Sequence, residues 1–401
     1  MRILFLSTWY PYPPDNGSKL RAYHLLRALG SRHQVTLLSF AFDTARPEKT
    51  SALDTFCRDV QVLAGNPFEI NRAGALATFL SMHPPVTRPI PAMQQLVTAA
   101  WQRGESYDAV IASTEMTADY ALTAPPGVTK ILEEHNSLTR WMAERYRGQH
   151  ALLQRARCWV SWQKRRWHER RLYPHFDLVT MVSRQDKQVT TELVRGVKPG
   201  VAVVPNGVDC AHNRPGLAPR QPSTLVYNGS LTYSANYDAM GWFLAEVYPR
   251  IKAQVPEVTL TITGSTQGVD LAGLALDDSV TPTGFVEDVR LPVAGAAVAV
   301  APIRQGGGTR LKILEAMALG TPVIATSKAA EGLDMRDGEH LLLADEPGTF
   351  ARRTLELLSD LDLRQRLAAS ARRLVEDRYD WQAIGAHFVG LVEAAVEAKV
   401  R

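Results

Sequence analysis

The residues of this chain that are most suited to chemistry surround a triple glycine at positions 306–308. Glycine has no Cβ, so the backbone there can approach a ligand and leave its amides free, and the helix expected directly afterwards points its positive end at the same place. Three cations flank this loop: Arg304, Arg310 and Lys312. Amides and cations together favour an anionic ligand, and a diphosphate above all.

The elements that would position this loop lie within residues 298–326. An apolar strand precedes the glycines, and an amphipathic helix with one carboxylate, Glu315, follows them. Gly320 then provides a turn into a second apolar strand. This order is typical of α/β folds, in which ligands bind at the carboxyl ends of parallel strands.

Two further candidates follow predicted strands in the first half of the chain. His135 comes just after the predicted strand 129–133. A lone histidine is more often structural, but a strand end is where such folds place their sites. Gly17 lies in the loop after the first predicted strand, where one glycine alone indicates only a turn. No GxGxxG sequence follows Ser7, which disfavours a dinucleotide site.

The βα rhythm repeats on both sides of a segment rich in proline, residues 213–223. Such composition is typical of a linker, so we expect a domain boundary between residues 212 and 213. Two similar α/β domains imply a ligand cleft between them.

Bulk composition restricts the class of protein. A chain of 401 residues suits two domains, and 45% hydrophobic with 21% charged residues is the composition of a soluble globular protein. The three cysteines are scattered without metal spacing, which favours a reducing cytoplasm. The first apolar run is too short for a signal peptide, and no run approaches the roughly 20 apolar residues that span a bilayer. We therefore expect a soluble or peripheral cytoplasmic protein.

Positive charge is concentrated between Arg140 and Arg171, where ten Lys and Arg face two Glu. Tryptophans 141, 159, 162 and 167 lie among these cations. Arginine with tryptophan suits an anionic membrane surface, although a solvated helical face with ordinary packing explains the pattern equally well. Nucleic acid is disfavoured, because the net charge is only +4 and no binding module is recognisable.

Taken together, the two predicted α/β halves of the sequence resemble the GT-B glycosyltransferases, and among them glycosyltransferase family 4. Five segments carry this resemblance in order: PPDNG at 13–17, VVPNGVD at 203–209, LVYNGSLTYSANYDAMGWFLAEVYPRI at 225–251, TGFVEDVR at 283–290 and KILEAMALGTPVIAT at 312–326. The resemblance implies two Rossmann-like doubly wound α/β domains that face a central cleft. It implies an acceptor-side domain of residues 1–212, completed by a C-terminal helix at 380–401 that crosses back, and a donor domain of residues 213–379.

The resemblance also implies roles for single residues. Glu315 matches the second Glu of the family's E-x7-E motif and would bind the ribose hydroxyls. Arg304 and Lys312 would neutralise the diphosphate, and His135 would hold the donor or steady developing positive charge. The remaining donor-binding candidates are Gly17, Gly229, Ser230, Gly306, Gly307, Gly308, Thr309, Arg310 and Leu311.

Two departures from the family pattern stand out. Gly307 occupies the position of the first Glu of the motif, so the identity of the sugar does not carry over. The basic pair expected after Gly229 is missing from residues 230–238, so we expect Arg304 and Lys312 to supply its charge instead.

The reaction implied is transfer of a sugar, with retention of anomeric configuration, from a nucleotide-sugar to an acceptor hydroxyl in cell-surface glycan assembly. A UDP-sugar is the favoured donor, and a glycan or lipid-linked molecule is the acceptor. No Asp-x-Asp signature lies near the loop, so we expect no metal and no other cofactor. A nucleotide-sugar epimerase of the same fold and a catalytically idle nucleotide-sugar-binding protein are the alternatives.

Overall fold

The computed structural model describes residues 1–41, 51–68, 89–103, 106–197, 199–306 and 310–401. Its contacts divide the chain into two compact units, which are described separately. Unit 1 comprises 1–205 together with 384–401, and unit 2 comprises 206–383.

Unit 1 is a parallel sheet with helices. Its strands are β1 (Arg2–Ser7), β2 (Gln34–Ala41), β3 (Asp59–Ala64), β4 (Ala109–Ser113), β5 (Thr129–Glu133), β6 (Leu178–Met181) and β7 (Gly200–Val203), in the spatial order β3-β2-β1-β4-β5-β6-β7. Its helices are α1 (Gly17–Gly30), α2 (Ser51–Asp54), α3 (Pro91–Gln102), α4 (Ala118–Ala121), α5 (Leu138–Arg147), α6 (Leu152–Leu172) and α7 (Arg184–Leu193). The central strands are apolar and buried, as expected for parallel strands covered on both faces.

Unit 2 repeats this architecture. Its strands are β8 (Gln221–Asn228), β9 (Thr259–Thr263), β10 (Val280–Gly284), β11 (Ala296–Ala301), β12 (Val323–Ala325) and β13 (Leu342–Leu343), in the order β10-β9-β8-β11-β12-β13. Its helices are α8 (Ser234–Trp242), α9 (Tyr248–Lys252), α10 (Arg290–Gly295), α11 (Leu311–Ala318), α12 (Pro347–Ser359) and α13 (Leu361–Arg378). Strand order reverses beside β8, so the carboxyl ends of β8 and β11 are where such a sheet binds ligands.

Residues 384–401 belong to unit 1, and residues 384–400 of this segment lie in the last helix, α14 (Trp381–Val400). Lys399 Nζ lies 2.6 Å from Asp177 Oδ2, and Glu393 Oε1 lies 3.2 Å from His33 Nε2. None of the helices in the described part of the chain is long and apolar enough to cross a membrane.

The division between the units differs from the boundary expected from the linker composition. It falls at 205/206 and 383/384 rather than at 212/213 and 379/380. Residues 206–213 belong with unit 2 because they form hydrogen bonds with residues in and just after its helix α13. Val208 N donates to Tyr379 O at 2.8 Å, and Arg372 Nη2 donates to Cys210 O at 2.9 Å.

One expected helix has a change of pitch. The sequence predicts a continuous helix over 235–254, but residues Phe243–Val247 form a π-helical turn between α8 and α9. Pro249 has no N–H to donate to the carbonyl four residues earlier, so a regular α-helix cannot continue through it. The backbone therefore takes the wider π-helical turn before the proline, and an α-helix begins again with Pro249 in its first turn.

Candidate functional site

The first part of the candidate site, in unit 2, lies where β8 and β9 end. Gly229 N donates to Thr263 O at 3.0 Å, and Ser230 Oγ donates to Ser265 O at 3.1 Å. A Cβ added to Gly229 would lie 2.4 Å from the Nζ atom of Lys312. Glycine is therefore required here for close approach of a cation to the strand end.

Lys312 lies in the first turn of α11, and protein groups hold its ammonium in place. Its Nζ donates to Tyr227 Oη at 2.8 Å and to Asn236 Oδ1 at 3.0 Å, and it lies 4.1 Å from the centroid of the Tyr227 ring. Desolvation, and then the charge of Arg310, lower the pKa of Lys312 to about 7. A half-buried cation whose hydrogen-bond partners are neutral is suited to receive an anion, because the anion supplies a compensating charge.

Glu315 lies one helical turn after Lys312 on the same side of α11. Its Oε2 accepts from Asn228 Nδ2 at 2.8 Å, and Asn228 Oδ1 in turn accepts from Thr263 Oγ1 at 3.3 Å. Desolvation raises the pKa of Glu315, against the opposing effect of Lys312. The carboxylate is held in one orientation and can accept hydrogen bonds from a ligand's hydroxyls.

The glycine loop is described only at its two ends. Gly306 has a φ of +89°, and Arg310 Nη2 donates to its carbonyl at 2.6 Å. Arg310 is buried, and Leu311 packs beside the core of unit 2. The predicted donor-binding residues Gly307, Gly308 and Thr309 lie outside the described residues.

Arg304 has different partners from Lys312 and Arg310. Its guanidinium lies 5.3 Å from the ring centroid of Trp242, and its Nη2 lies 3.5 Å from Asp238 Oδ1. The side chain lines a surface groove of about 740 Å³ that also contains Tyr237. Lys312 therefore contacts Tyr227 at the end of β8 and Asn236 of α8, whereas Arg304 contacts Asp238 and Trp242 of α8. Arg310 contacts the glycine loop.

The second part of the candidate site, in unit 1, lies where β5 and β4 end and α1 begins. Gly17 is the first residue of α1, and Asn16 caps the helix by accepting from the amides of Ser18 and Lys19 at 3.1 Å each. His135 Nδ1 lies 3.2 Å from Ser18 Oγ, so the histidine after β5 is connected to the loop after β1.

The other ring nitrogen of His135 faces a buried carboxylate. Its Nε2 lies 3.2 Å from both Glu133 Oε2 and Ser113 Oγ. Glu133 is fully buried and forms an ion pair with Arg21, whose Nη1 donates to Pro205 O at 3.0 Å. Burial alone would raise the pKa of Glu133, but Arg21 and His135 hold it at about 2, so the group is a carboxylate at neutral pH.

The adjacent residue, Glu134, has the opposite environment. It is buried, and its Oε1 has no hydrogen-bond partner among the described residues. Desolvation and the nearby Glu115 carboxylate raise the pKa of Glu134 well above its usual range. Arg165 Nε donates to Glu169 Oε1 at 2.7 Å, and the same guanidinium pairs with Glu115. The pKa values of these two consecutive carboxyls are therefore shifted in opposite directions, that of Glu133 downward and that of Glu134 upward.

Sequence reasoning did not identify several of these residues. Asn228, Asn236 and Tyr227 are neutral, and only their contacts with Glu315 and Lys312 reveal them. The sequence indicates Glu133 and Glu134 only as polar residues at the end of a predicted strand, although two adjacent carboxylates in that place require partners. Nothing in the sequence indicates a role for Ser18, except that it follows Gly17.

Two family models match this chain. Residues 16–212 match the model described as Glycosyltransferase Family 4. Residues 222–360 match the model described as Glycosyl transferases group 1. Together the two models cover most of both units.

Two relatives are similar in sequence. An uncharacterized 44.6 kDa protein in the cps region of Klebsiella pneumoniae is 20% identical over 393 residues, which cover 94% of this chain and 96% of the relative. The phosphatidyl-myo-inositol mannosyltransferase of Mycobacterium tuberculosis is 31% identical over 214 residues, which cover 49% of this chain and 56% of the relative. The second alignment thus spans about half the length of either protein.

Two solved structures share the fold along nearly the whole chain. Sucrose-phosphate synthase of Thermosynechococcus elongatus superposes with a TM-score of 0.73 at 19% identity and covers 99% of this chain and 100% of its own. HepE of Anabaena, in complex with UDP and glucose, superposes with a TM-score of 0.67 at 17% identity. The alignment covers 98% of this chain and 100% of the HepE chain. At these identities the likeness concerns the fold.

Proposed function

Because this chain belongs to the GT-B glycosyltransferases of group 1, we propose that it transfers a sugar from a nucleotide-sugar to an acceptor hydroxyl with retention of anomeric configuration. We assign the donor to unit 2 and the acceptor to unit 1. The sugar itself stays open, since Gly307 stands where the family pattern has a carboxylate.

The observation that carries the proposal is the pair formed by Lys312 and Glu315. One turn of α11 presents a cation beside Gly229 and a carboxylate beside Asn228, both at the carboxyl end of β8. A nucleoside diphosphate has the complementary groups, an anionic diphosphate and ribose hydroxyls. Arg310, next to the glycine loop, adds a second cation.

A UDP-sugar is the favoured donor. Support comes from HepE, whose structure was determined with UDP and glucose. The relative named a phosphatidyl-myo-inositol mannosyltransferase matches only about half of its length, so mannose is not favoured over other sugars.

Calorimetry with UDP, GDP, ADP and their sugars tests donor binding. We expect UDP to bind, and Lys312→Met and Glu315→Gln each to weaken binding about 10- to 100-fold, because each removes a hydrogen bond that involves a charged group. Lys252→Met is the matched control, since Lys252 pairs with Asp277 at the surface of the same unit. Equal affinity of all variants for UDP would refute this donor site.

The proposed mechanism depends on charge stabilisation at the departing diphosphate. Lys312, Arg310 and the amides at the start of α11 would stabilise the leaving group while the acceptor oxygen attacks the anomeric carbon on the same face. We propose that these groups suffice without a metal ion. Transfer that persists in EDTA is the expected result, and a loss of activity that Mg²⁺ or Mn²⁺ restores would contradict it.

Product analysis separates this function from its alternatives. An epimerase would convert the nucleotide-sugar without an acceptor, and an idle binding protein would release no nucleotide. We expect release of UDP and a product that keeps the anomeric configuration of the donor, as measured by NMR of the new linkage.

We further propose that unit 1 docks on anionic membrane, where a lipid-linked acceptor in cell-surface glycan assembly would lie. Leu152 and Leu153, at the start of α6, are 83% and 84% exposed, and Trp159 is 48% exposed on the same helix. Exposed apolar side chains among Arg155 and Arg157 suit insertion between anionic headgroups.

Liposome flotation tests the docking. Vesicles with anionic lipid should carry the protein to the top of the gradient, and the double variant Leu152→Glu/Leu153→Glu should abolish this flotation. Leu361→Glu is the control, because Leu361 is an exposed leucine of unit 2. If the double variant floats like the unaltered protein, these leucines are not the docking surface.

A further inference from the structure

Three side chains of unit 1 form a hydrogen-bonded series that ends on a residue with no assigned role. Glu133 Oε2 lies 3.2 Å from His135 Nε2, and His135 Nδ1 lies 3.2 Å from Ser18 Oγ. Ser113 Oγ donates to the same Glu133 oxygen at 3.0 Å, so its proton is already engaged. Both ring nitrogens of His135 are therefore occupied by protein groups.

The ionised carboxylate determines which nitrogen carries the proton in the neutral ring. Because Glu133 can only accept hydrogen bonds, His135 Nε2 must donate to it. Nδ1 then has a lone pair that faces Ser18, and the Ser18 hydroxyl is the donor across that contact. Arg21 fixes the carboxylate from the other side through its ion pair. This arrangement of hydroxyl, imidazole and carboxylate resembles that of an activated serine in acyl-transfer enzymes.

The burial of the three groups indicates which one a ligand can reach. Glu133 and Ser113 are buried, whereas Ser18 is only half-buried at the beginning of α1. With its own proton directed at Nδ1, the Ser18 oxygen presents its lone pairs as an acceptor. A hydroxyl group or a water molecule is the partner that such an oxygen would bind.

We propose that Ser18 is a further catalytic residue, which accepts the proton of the attacking hydroxyl and passes its own proton to His135. This inference rests on the proposed transfer reaction and adds a group to its acceptor side. Glu133 is a positioning residue, because it acts only through the histidine.

The acceptor oxygen forms a bond to the anomeric carbon while the bond from that carbon to the diphosphate oxygen breaks, and the electron pair leaves with the diphosphate. The acceptor's proton goes to Ser18 Oγ as the Ser18 proton goes to Nδ1, which leaves an imidazolium beside the Glu133 carboxylate. Transfer of one proton to solvent then restores the neutral ring.

Kinetics of Ser18 variants provide the first test. With the nucleotide-sugar that turns over fastest, and water as acceptor, we expect Ser18→Ala to lower kcat about 100-fold with donor KM unchanged. Ser18→Thr, which keeps the hydroxyl, should restore most of that loss. A merely structural contact between Ser18 and His135 would instead lower the melting temperature of Ser18→Ala and leave its kcat unaltered.

NMR of ¹⁵N-labelled histidine provides a second test that needs no substrate. His135, assigned by its absence in His135→Asn, should show the Nε2–H tautomer, and Glu133→Gln should shift it toward Nδ1–H because the amide can donate. Ser113→Ala is the control, because it keeps the Arg21–Glu133 ion pair that Glu133→Gln removes and is therefore less disruptive to folding. It should leave the tautomer of His135 unchanged. An Nδ1–H tautomer in the unaltered protein, or full activity of Ser18→Ala, overturns the proposal. If no nucleotide-sugar binds or turns over, the proposed transfer reaction is wrong. The tautomer of His135 still shows which group donates in each hydrogen bond between Glu133, His135 and Ser18.

Discussion

The ammonium of Lys312 lies 2.8 Å from the hydroxyl of Tyr227 and 4.1 Å from the centroid of its ring. Desolvation and the charge of Arg310 lower the pKa of this lysine to about 7, against the opposing effect of Glu315. The cation of the proposed donor site is thus only partly charged until an anion arrives.

Donor binding should therefore take up a proton. A bound diphosphate favours the charged amine and raises the pKa of Lys312, so affinity for UDP-glucose should fall with increasing pH, by up to about tenfold between pH 7.5 and 8.5. Calorimetry in buffers of different ionisation enthalpy measures the protons taken up. Lys312→Met should bind weakly at every pH and take up none; equal proton uptake by this variant would assign the effect to another group.

Gly229→Ala should displace the Lys312 ammonium. The new Cβ would lie 2.4 Å from Nζ, and a flexible side chain can move away at small cost in stability. We expect the donor KM to rise about tenfold, with a loss in unfolding free energy below about 1 kcal/mol. Gly348→Ala is the control, since its Cβ would meet no atom within 4 Å. An unchanged KM in Gly229→Ala would show that the ammonium does not need this position.

The buried pair Arg21–Glu133 should stabilise unit 1 in a defined pH range. The pKa of Glu133 is lowered from 4.5 to about 2, so the stabilisation is present above pH 4.5 and is lost as the pH falls toward 2. Arg21→Met should cost about 3 to 5 kcal/mol at neutral pH, because it leaves a buried carboxylate unpaired. Adding Glu133→Gln should recover part of that cost. Thermal unfolding across pH measures both effects, and additive losses in the double variant would contradict the pairing.

Glu134 should behave in the opposite way. Its pKa is raised, so folding becomes less favourable as the pH rises above 4.5 and the carboxyl approaches ionisation. Glu134→Gln should be neutral or stabilising at neutral pH, and its advantage should grow as the pH rises. Arg165→Met, in contrast, should lose about 3 to 5 kcal/mol, because Glu115 and Glu169 would then lack their cation. A large loss in Glu134→Gln at pH 7 would mean that this carboxyl is ionised.

The α/β fold and the family could be predicted from the sequence because their signals are local. Apolar runs such as 3–7 and 129–133 are buried strands as expected, and four of the five ordered segments lie wholly within the residues that the two family models match. Strand β3 was not predicted, since its residues are only half-buried and mixed in polarity at the sheet edge. The sequence predicts one long helix over 138–174, but the structure has two: the first ends at Arg147 with Gly148 as its C-cap, and the second begins at Leu152.

The candidate site was harder to predict from the sequence, because the positions of its side chains depend on contacts between residues that are far apart along the chain. Lys312 and Glu315 could be selected from their spacing, but Asn236 and Asn228, which hold them, are 76 and 87 residues away along the chain. Ser18 and His135 are 117 residues apart. The roles of the selected residues stay predictions until the measurements above are made.

The assignment of residues 384–401 to unit 1 affects the order in which the chain can fold during synthesis. Unit 2, a single continuous segment, can close as soon as residue 383 has left the ribosome. Unit 1 must hold its parallel sheet without the C-terminal helix until then, a wait of roughly 10 to 40 s for about 180 residues at the usual rate of translation. During that interval the surface around Ala28, which Gly385 later covers, is open to solvent and to chaperones.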